Sequence, residues 1–165
     1  MQRFSFCDII LKLCDFVTLW QTFNKKNKKM TKQIWLNLPV KEVAKSKAFF
    51  SKIGFSFNEK HDTQSSTCMI VGEGKFAVML FEETLFASFS QNKLTDTKSS
   101  SEVLISIDAE SKEEVDQFTE KVKEAGGTVF SKPAESQGWM YGSAFADLDG
   151  HRWNILYMDF SKMPK

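Results

Sequence analysis

The sequence predicts an α+β fold built from two tandem βαβββ modules in one domain. Three observations predict it. A strand, helix, glycine and strand succession over residues 34–57 recurs over 102–130. Each copy is followed by two more strand-like runs joined through a glycine-bearing turn. A stretch that is polar after Phe89, residues 83–101, separates the copies as a linker. A repeat of this length is one supersecondary unit, and neither copy alone could cover both faces of its sheet.

In the first copy, Ile34 to Val40 reads as a strand and Lys41 to Ile53 as a helix, with Val43, Phe49, Phe50 and Ile53 on or near one face. Gly54 stops it where a left-handed residue is wanted. Phe55-Ser56-Phe57 alternates as a short strand, Cys68 to Val71 and Phe76 to Phe81 are strands, and Gly72-Glu73-Gly74 turns between them. In the second copy, Glu102 to Ile107 reads as a strand. Ser111-Lys112-Glu113-Glu114 is a capping box. Val115, Phe118, Val122 and Ala125 make one apolar stripe. Gly126-Gly127 ends the helix, and Thr128-Val129-Phe130 is the next strand. Gly138 to Gly142 reads as a loop able to close over a ligand. Ser143 to Ala146 and Arg152 to Met158 flank the turn Asp147-Leu148-Asp149-Gly150, an Asp-Gly hairpin signal. Module one is therefore set at 33–82 and module two at 102–158, within a domain of residues 30–165.

Residues 1–29 are a separate problem. They carry Arg3, Lys12, Lys25, Lys26, Lys28 and Lys29 against Asp8 and Asp15, a net +4 in a chain of net charge +1, leaving −3 for the rest. Asp8, Lys12 and Asp15 interrupt any signal-peptide core, and no small-x-small cleavage site follows. An amphipathic helix over Phe6 to Trp20 is one reading. An extension outside the domain is the reading adopted.

Composition excludes several function classes. The near-neutral charge argues against a simple nucleic-acid binder. Cys7, Cys14 and Cys68 are too few for a disulfide scaffold. His61 and His151 are the only histidines, so one chain cannot build a multi-histidine metal site. No run of about 18 apolar residues offers a membrane span. No Ser/His/Asp or Cys/His pattern and no glycine-rich phosphate loop is present. Cys68 sits in an apolar run and reads as a small core residue.

The stretch Leu38 to Phe50, with Ile53-Gly54-Phe55, Gly138-Trp139-Met140-Tyr141-Gly142 and Asp147-Leu148-Asp149-Gly150-His151-Arg152-Trp153, resembles the vicinal oxygen chelate superfamily. That group holds glyoxalase I, bleomycin-resistance proteins, fosfomycin-resistance enzymes and extradiol dioxygenases. The resemblance covers about residues 32–160 and points to its uncharacterised bacterial glyoxalase-like branch. It implies a cleft between paired modules, with a divalent metal on its floor that stabilises an enolate or oxyanion.

Carried onto this chain, the family's ligand positions are altered. The histidine that opens His-x-x-Leu-x-Val is Trp35, which has only a donor N–H. Its match in the second module is Glu102. The glutamate of Asp-Gly-x-x-x-Glu is Asn154, and its first-module match is Val78, or Met79 with a one-residue slip. Glu102 and Asn154 alone make a weak metal pair. The expectation is no strong metal site, with a weakly bound divalent metal as the only cofactor considered. Glu102 is the candidate catalytic base. Trp35, Asn37, Trp139 and Tyr141 are the candidate substrate-binding residues. The expected activity is binding of a small aromatic or drug-like molecule in the cleft. The alternative is a metal-dependent lyase or dioxygenase using Glu102 and Asn154, and an interaction module without a small ligand is a third reading. The expected partners are that ligand and a second copy of the chain, with neither nucleic acid nor membrane, in the cytoplasm.

Overall fold

A computed structural model describes residues 33–73 and 75–164, the side chain of His61 excepted. The expectations for residues 1–29 and for Gly74 lie outside these. The compact unit Trp35–Lys165 holds two four-stranded sheets. Module one runs β1 (Trp35–Val40), α1 (Val43–Ile53), β2 (Ser56–Phe57), β3 (Ser66–Val71) and β4 (Phe76–Glu82). Module two runs β5 (Leu104–Asp108), α3 (Lys112–Ala125), β6 (Thr128–Ser136), β7 (Met140–Ala146) and β8 (Arg152–Met158). Between them lies α2 (Glu83–Ser90). The strand orders are β1-β4-β3-β2 and β5-β8-β7-β6, with the first pair parallel in each sheet and the rest antiparallel. The two βαβββ modules are thus present.

The helices form where local chemistry asks for them. Gly54 and Gly126 adopt φ 116° and 97° and close α1 and α3. Ser111 Oγ accepts from the Glu114 amide at 3.1 Å. The glutamate returns the bond one residue further back than a capping box would, accepting from the Glu110 amide at 2.7 Å. Val43, Phe49, Phe50 and Ile53 of α1 are buried, as are Val115, Thr119 and Val122 of α3.

One core joins the modules. Trp153 is fully buried, its ring 5.4 Å from Phe50 of module one and stacked 6.2 Å from Phe145. Phe55 reaches both Trp153 and Phe118 at 6.2 Å. Gly127 lets this core close: a Cβ there would stand 2.7 Å from Val122 Cγ1 and 3.1 Å from the Ala146 carbonyl.

The β7–β8 turn clasps the modules together. Asp147 is buried and accepts from Trp153 Nε1 and from the Asp149 and His151 amides, each at 3.0 Å. Asp149 reaches module one, accepting from the Lys41 amide at 2.9 Å and from Ser46 Oγ at 2.6 Å. His151 Nε2 stands 2.7 Å from the Pro39 carbonyl. A carbonyl only accepts, so that nitrogen carries the proton. Thr97 Oγ1 donates to the Asp149 carbonyl, and Gly150 leaves it room, since a Cβ there would lie 2.7 Å from Thr97 Oγ1.

Three sequence expectations change. The linker contains α2, because Glu82 accepts from the Thr84 and Leu85 amides at 3.1 and 3.3 Å and Phe89 packs 5.4 Å from Phe81 of β4. The fifth strand starts at Leu104, so Glu102 precedes it. The segment Gly138 to Gly142 is not a closing loop. Ser136 pairs with Met140, so residues 137–139 are a hairpin turn and Met140 to Gly142 belong to β7. Pairing across nine residues of β6, with two register shifts, leaves no length for a lid.

Candidate functional site

Strand alternation assigns the faces. Leu38, Val40, Val78 and Leu80 point into the core from sheet one, and Trp153 and Ile155 from sheet two. Their neighbours in sequence therefore occupy the opposite faces. On sheet one these form the rows Trp35, Ala77 and Ile70, then Asn37, Met79 and Cys68. On sheet two they form the rows Leu104, Arg152 and Ala146, then Ser106, Asn154 and Ala144.

The modules can be matched without a gap. The start of α1 lies eight positions after Trp35, and the start of α3 eight positions after Leu104. Trp35 thus answers to Leu104 and Asn37 to Ser106. Their strand partners then match Met79 to Asn154. The register selects Met79 over Val78, which points into the core, and removes Glu102 as the counterpart of Trp35.

Glu102 instead lines a cavity of about 270 Å³ where β1, α2, the linker, β5 and the start of β8 meet. Asn37, Phe86, Lys93, Val103 and Arg152 line it too. Glu102 is the only carboxylate of that lining, among the described residues. Asn37 and Glu102 are therefore brought together. Trp35 lies two residues from Asn37 on the same face of β1 and is exposed.

Trp139 and Tyr141 lie elsewhere. Tyr141 has the parity of Phe145 and faces α3. Its hydroxyl donates to Asp116 Oδ1 at 2.9 Å, and the Lys112 ammonium sits 5.4 Å from its ring. The Asp116 bond pushes the phenol above its ordinary pKa. Trp139 lines a hollow of about 230 Å³ with Lys112, Tyr157 and Lys162, its ring 6.3 Å from Phe160. An aromatic clamp of Trp35, Trp139 and Tyr141 around one ligand does not form within this chain.

The donor set can be tested against a divalent metal. Asn154 Oδ1 is buried and has no hydrogen-bond partner among the described residues, which is the kind of atom a cation would satisfy. Its neighbours are wrong for that task. Ser106 and Ala144 flank it, and Arg152 brings a fixed positive charge two residues away on the same face. In the matching row stand Asn37, Met79 and Cys68, and burial pushes the Cys68 thiol up, away from the thiolate a metal needs. Among the described residues, no three His, Cys, Asp or Glu side chains stand close enough to share an ion. These residues do not fit a divalent metal.

Sequence reasoning missed Arg152. Its guanidinium sits 4.5 Å above the Phe130 ring. The signal was its place two residues before Asn154 on one strand face.

The sequence pattern of the Glyoxalase/Bleomycin resistance protein/Dioxygenase superfamily matches residues 32–155. No curated protein matches the chain. Among solved structures, a hypothetical protein from S. aureus, SA1046, is 39% identical, with a TM-score of 0.70 over 79% of this chain and 96% of that one. A glyoxalase/bleomycin resistance protein/dioxygenase family enzyme from Burkholderia phytofirmans PsJN is 20% identical, with a TM-score of 0.66 over 75% and 96%. The fosfomycin resistance protein FosX from Listeria monocytogenes is 18% identical, with a TM-score of 0.58 over 82% and 95%. At such identities the last two establish the fold alone.

Proposed function

Because the chain belongs to the glyoxalase/bleomycin resistance protein/dioxygenase superfamily, we propose that it binds a small aromatic or drug-like molecule in the cavity beside Asn37 and Glu102. The observation that carries this is the cavity itself. Its volume, about 270 Å³, falls just short of the range of about 300–1,000 Å³ typical of small-molecule sites and suits a small ligand. Apolar groups from Leu36, Phe86 and Val103 line it, and a few polar groups converge on it. Asn37 gives the ligand an amide to pair with, and Glu102 gives it the single carboxylate, as acceptor or general base. Trp35, exposed two residues from Asn37 on the same face of β1, offers a ring. Binding in this reading needs no metal.

A second copy of the chain is the proposed partner, in a cytoplasmic setting. Trp35, Leu104 and Phe130 leave 58%, 56% and 47% of their surface exposed on the faces turned from the core. Apolar surface of this kind favours association. Among the described residues, no helix is long and apolar enough to cross a membrane.

The test is a screen of aromatic metabolites and antibiotics by tryptophan fluorescence and thermal shift, with light scattering on the same samples. Saturable quenching that weakens about tenfold in Glu102→Gln or Asn37→Leu, in a protein of twice the chain mass, is expected. Trp35→Phe should remove most of the quenching. No response to any compound, from a well-folded monomer, contradicts the proposal.

A second reading, a divalent-metal-dependent lyase or dioxygenase with Glu102 and Asn154 as ligands, is favoured by one observation, the unpartnered Asn154 Oδ1. The surrounding donor set argues against it.

A further inference from the structure

We propose that Arg152 makes this site a receptor for a small organic acid. The guanidinium takes the ligand's carboxylate, phosphonate or phosphate group, and Asn154 Oδ1 takes an O–H or N–H from the same molecule. The assignment rests on the binding reading above and adds the charge and donor pattern of the ligand.

Arg152 supplies the cation. A guanidinium keeps its charge at any working pH. Here it is partly buried and lies over Phe130 at 4.5 Å. The residue paired with Arg152 on β7 is Ala146, whose small side chain lets the arginine pass across that strand toward β6. Stacking on a ring fixes the plane of the fork and leaves its N–H edges for an acceptor. Among the described residues, every ion pair is made by a lysine, and Arg152 has no carboxylate partner. A planar cation held flat and left without an anion is pre-organised for bidentate oxyanion binding.

Among the described residues Asn154 Oδ1 is buried without a donor, and leaving such an oxygen unmet costs free energy. Residues two apart on a strand share a face at about 6–7 Å, so one small molecule can span both groups. Ser106, Ala144 and Ala146, all small, are the strand neighbours of this pair.

The other charges agree in sign. Lys93 lines the same cavity as Arg152, and His151 is tied to the Pro39 carbonyl. Glu102 opposes them from the linker side, and Asp108 sits at the far end of β5, opposite Leu156. In this chain the cation belongs to the protein and the anion to the ligand.

The test uses the full chain and calorimetric titration at low ionic strength. The probes are benzoate, salicylate, lactate and phenylphosphonate, against benzamide, salicylamide and lactamide. At least one acid should bind about tenfold or more tightly than its amide. Arg152→Met should erase that preference, and Arg152→Lys should keep part of it. Salicylate should exceed benzoate through its hydroxyl, and Asn154→Leu should remove the excess. The acid–amide comparison on the unaltered protein holds even if a variant fails to fold. Equal binding of acids and amides overturns the anion assignment and leaves small-molecule binding standing. So does a preference that survives in Arg152→Met. No binding of either set overturns both.

Discussion

Trp153→Ala is expected to destabilise the fold by about 3–5 kcal/mol, the usual cost of emptying a buried aromatic site. Trp153 is fully buried and stands where the modules meet, touching Phe50 and Phe55 from one side and Phe145 from the other. The neighbouring rings come from α1, the chain after it and β7, so the cavity cannot collapse by moving one element. The lost indole N–H adds a second cost, because it donates to Asp147. Trp153→Phe refills most of the volume and should recover much of the loss. Urea unfolding with a single transition measures both variants. A change below about 1 kcal/mol for Trp153→Ala would mean that the core is not shared.

Asp147→Ala is expected to cost about 3 kcal/mol or more, from leaving three donors without their acceptor. The donors are Trp153 Nε1, the Asp149 amide and the His151 amide. The effect spreads, because the turn that Asp147 organises carries Asp149 to Lys41 and Ser46, and His151 to Pro39. Asp147→Asn should cost less but not nothing. Its amide oxygen can keep the two backbone bonds, while its NH₂ would face the indole N–H, donor against donor. Since Trp153 and Asp147 touch, Trp153→Phe combined with Asp147→Ala should cost less than the two changes summed. Burial is the main influence on the Asp147 carboxyl and pushes its pKa up, against the pull of His151 and the Trp153 bond. The folded chain then holds this proton where the unfolded chain has released it. The group's contribution to stability is therefore fullest below the ordinary value of 3.8 and declines as pH rises through the folded value. The stability gap between the protein and Asp147→Asn should narrow over that rise.

Much of the fold was legible because it is written locally. Gly54 and Gly126 announce left-handed helix ends, Ser111 announces a helix start, and Asp149-Gly150 announces a hairpin. Each needs only neighbouring residues to act, and together they reveal the repeat. What escaped depends on pairing across distance. The strand β6 outlasts its Val-Phe start because β7 keeps pairing with it as far as Ser136. The linker hides α2 because Glu82, the capping acceptor, looks like the end of a strand.

The candidate site was only partly legible for the same reason. Asn37 and Glu102 line one cavity at the junction of the two modules. Tyr141 was available to simple alternation, since it shares parity with Phe145, whose burial sets that face toward α3. Arg152 carries no local signal, because a charge ahead of the largely apolar run 153–158 has the pattern of a solvated strand end. Only the register brings it beside Ala146 and over Phe130. The bond from Ser46 to Asp149 spans 103 residues and has no local signature.

In the proposed function this duplicated fold binds its ligand in the cavity without a cation. Calorimetric titration of the full chain with nickel, manganese and zinc tests it most directly. With Trp35, Met79 and Asn154 at the inherited positions, no metal should bind stoichiometrically below about 10⁻⁴ M. One equivalent bound at micromolar or tighter dissociation constant, and lost in Glu102→Ala or Asn154→Ala, would contradict it.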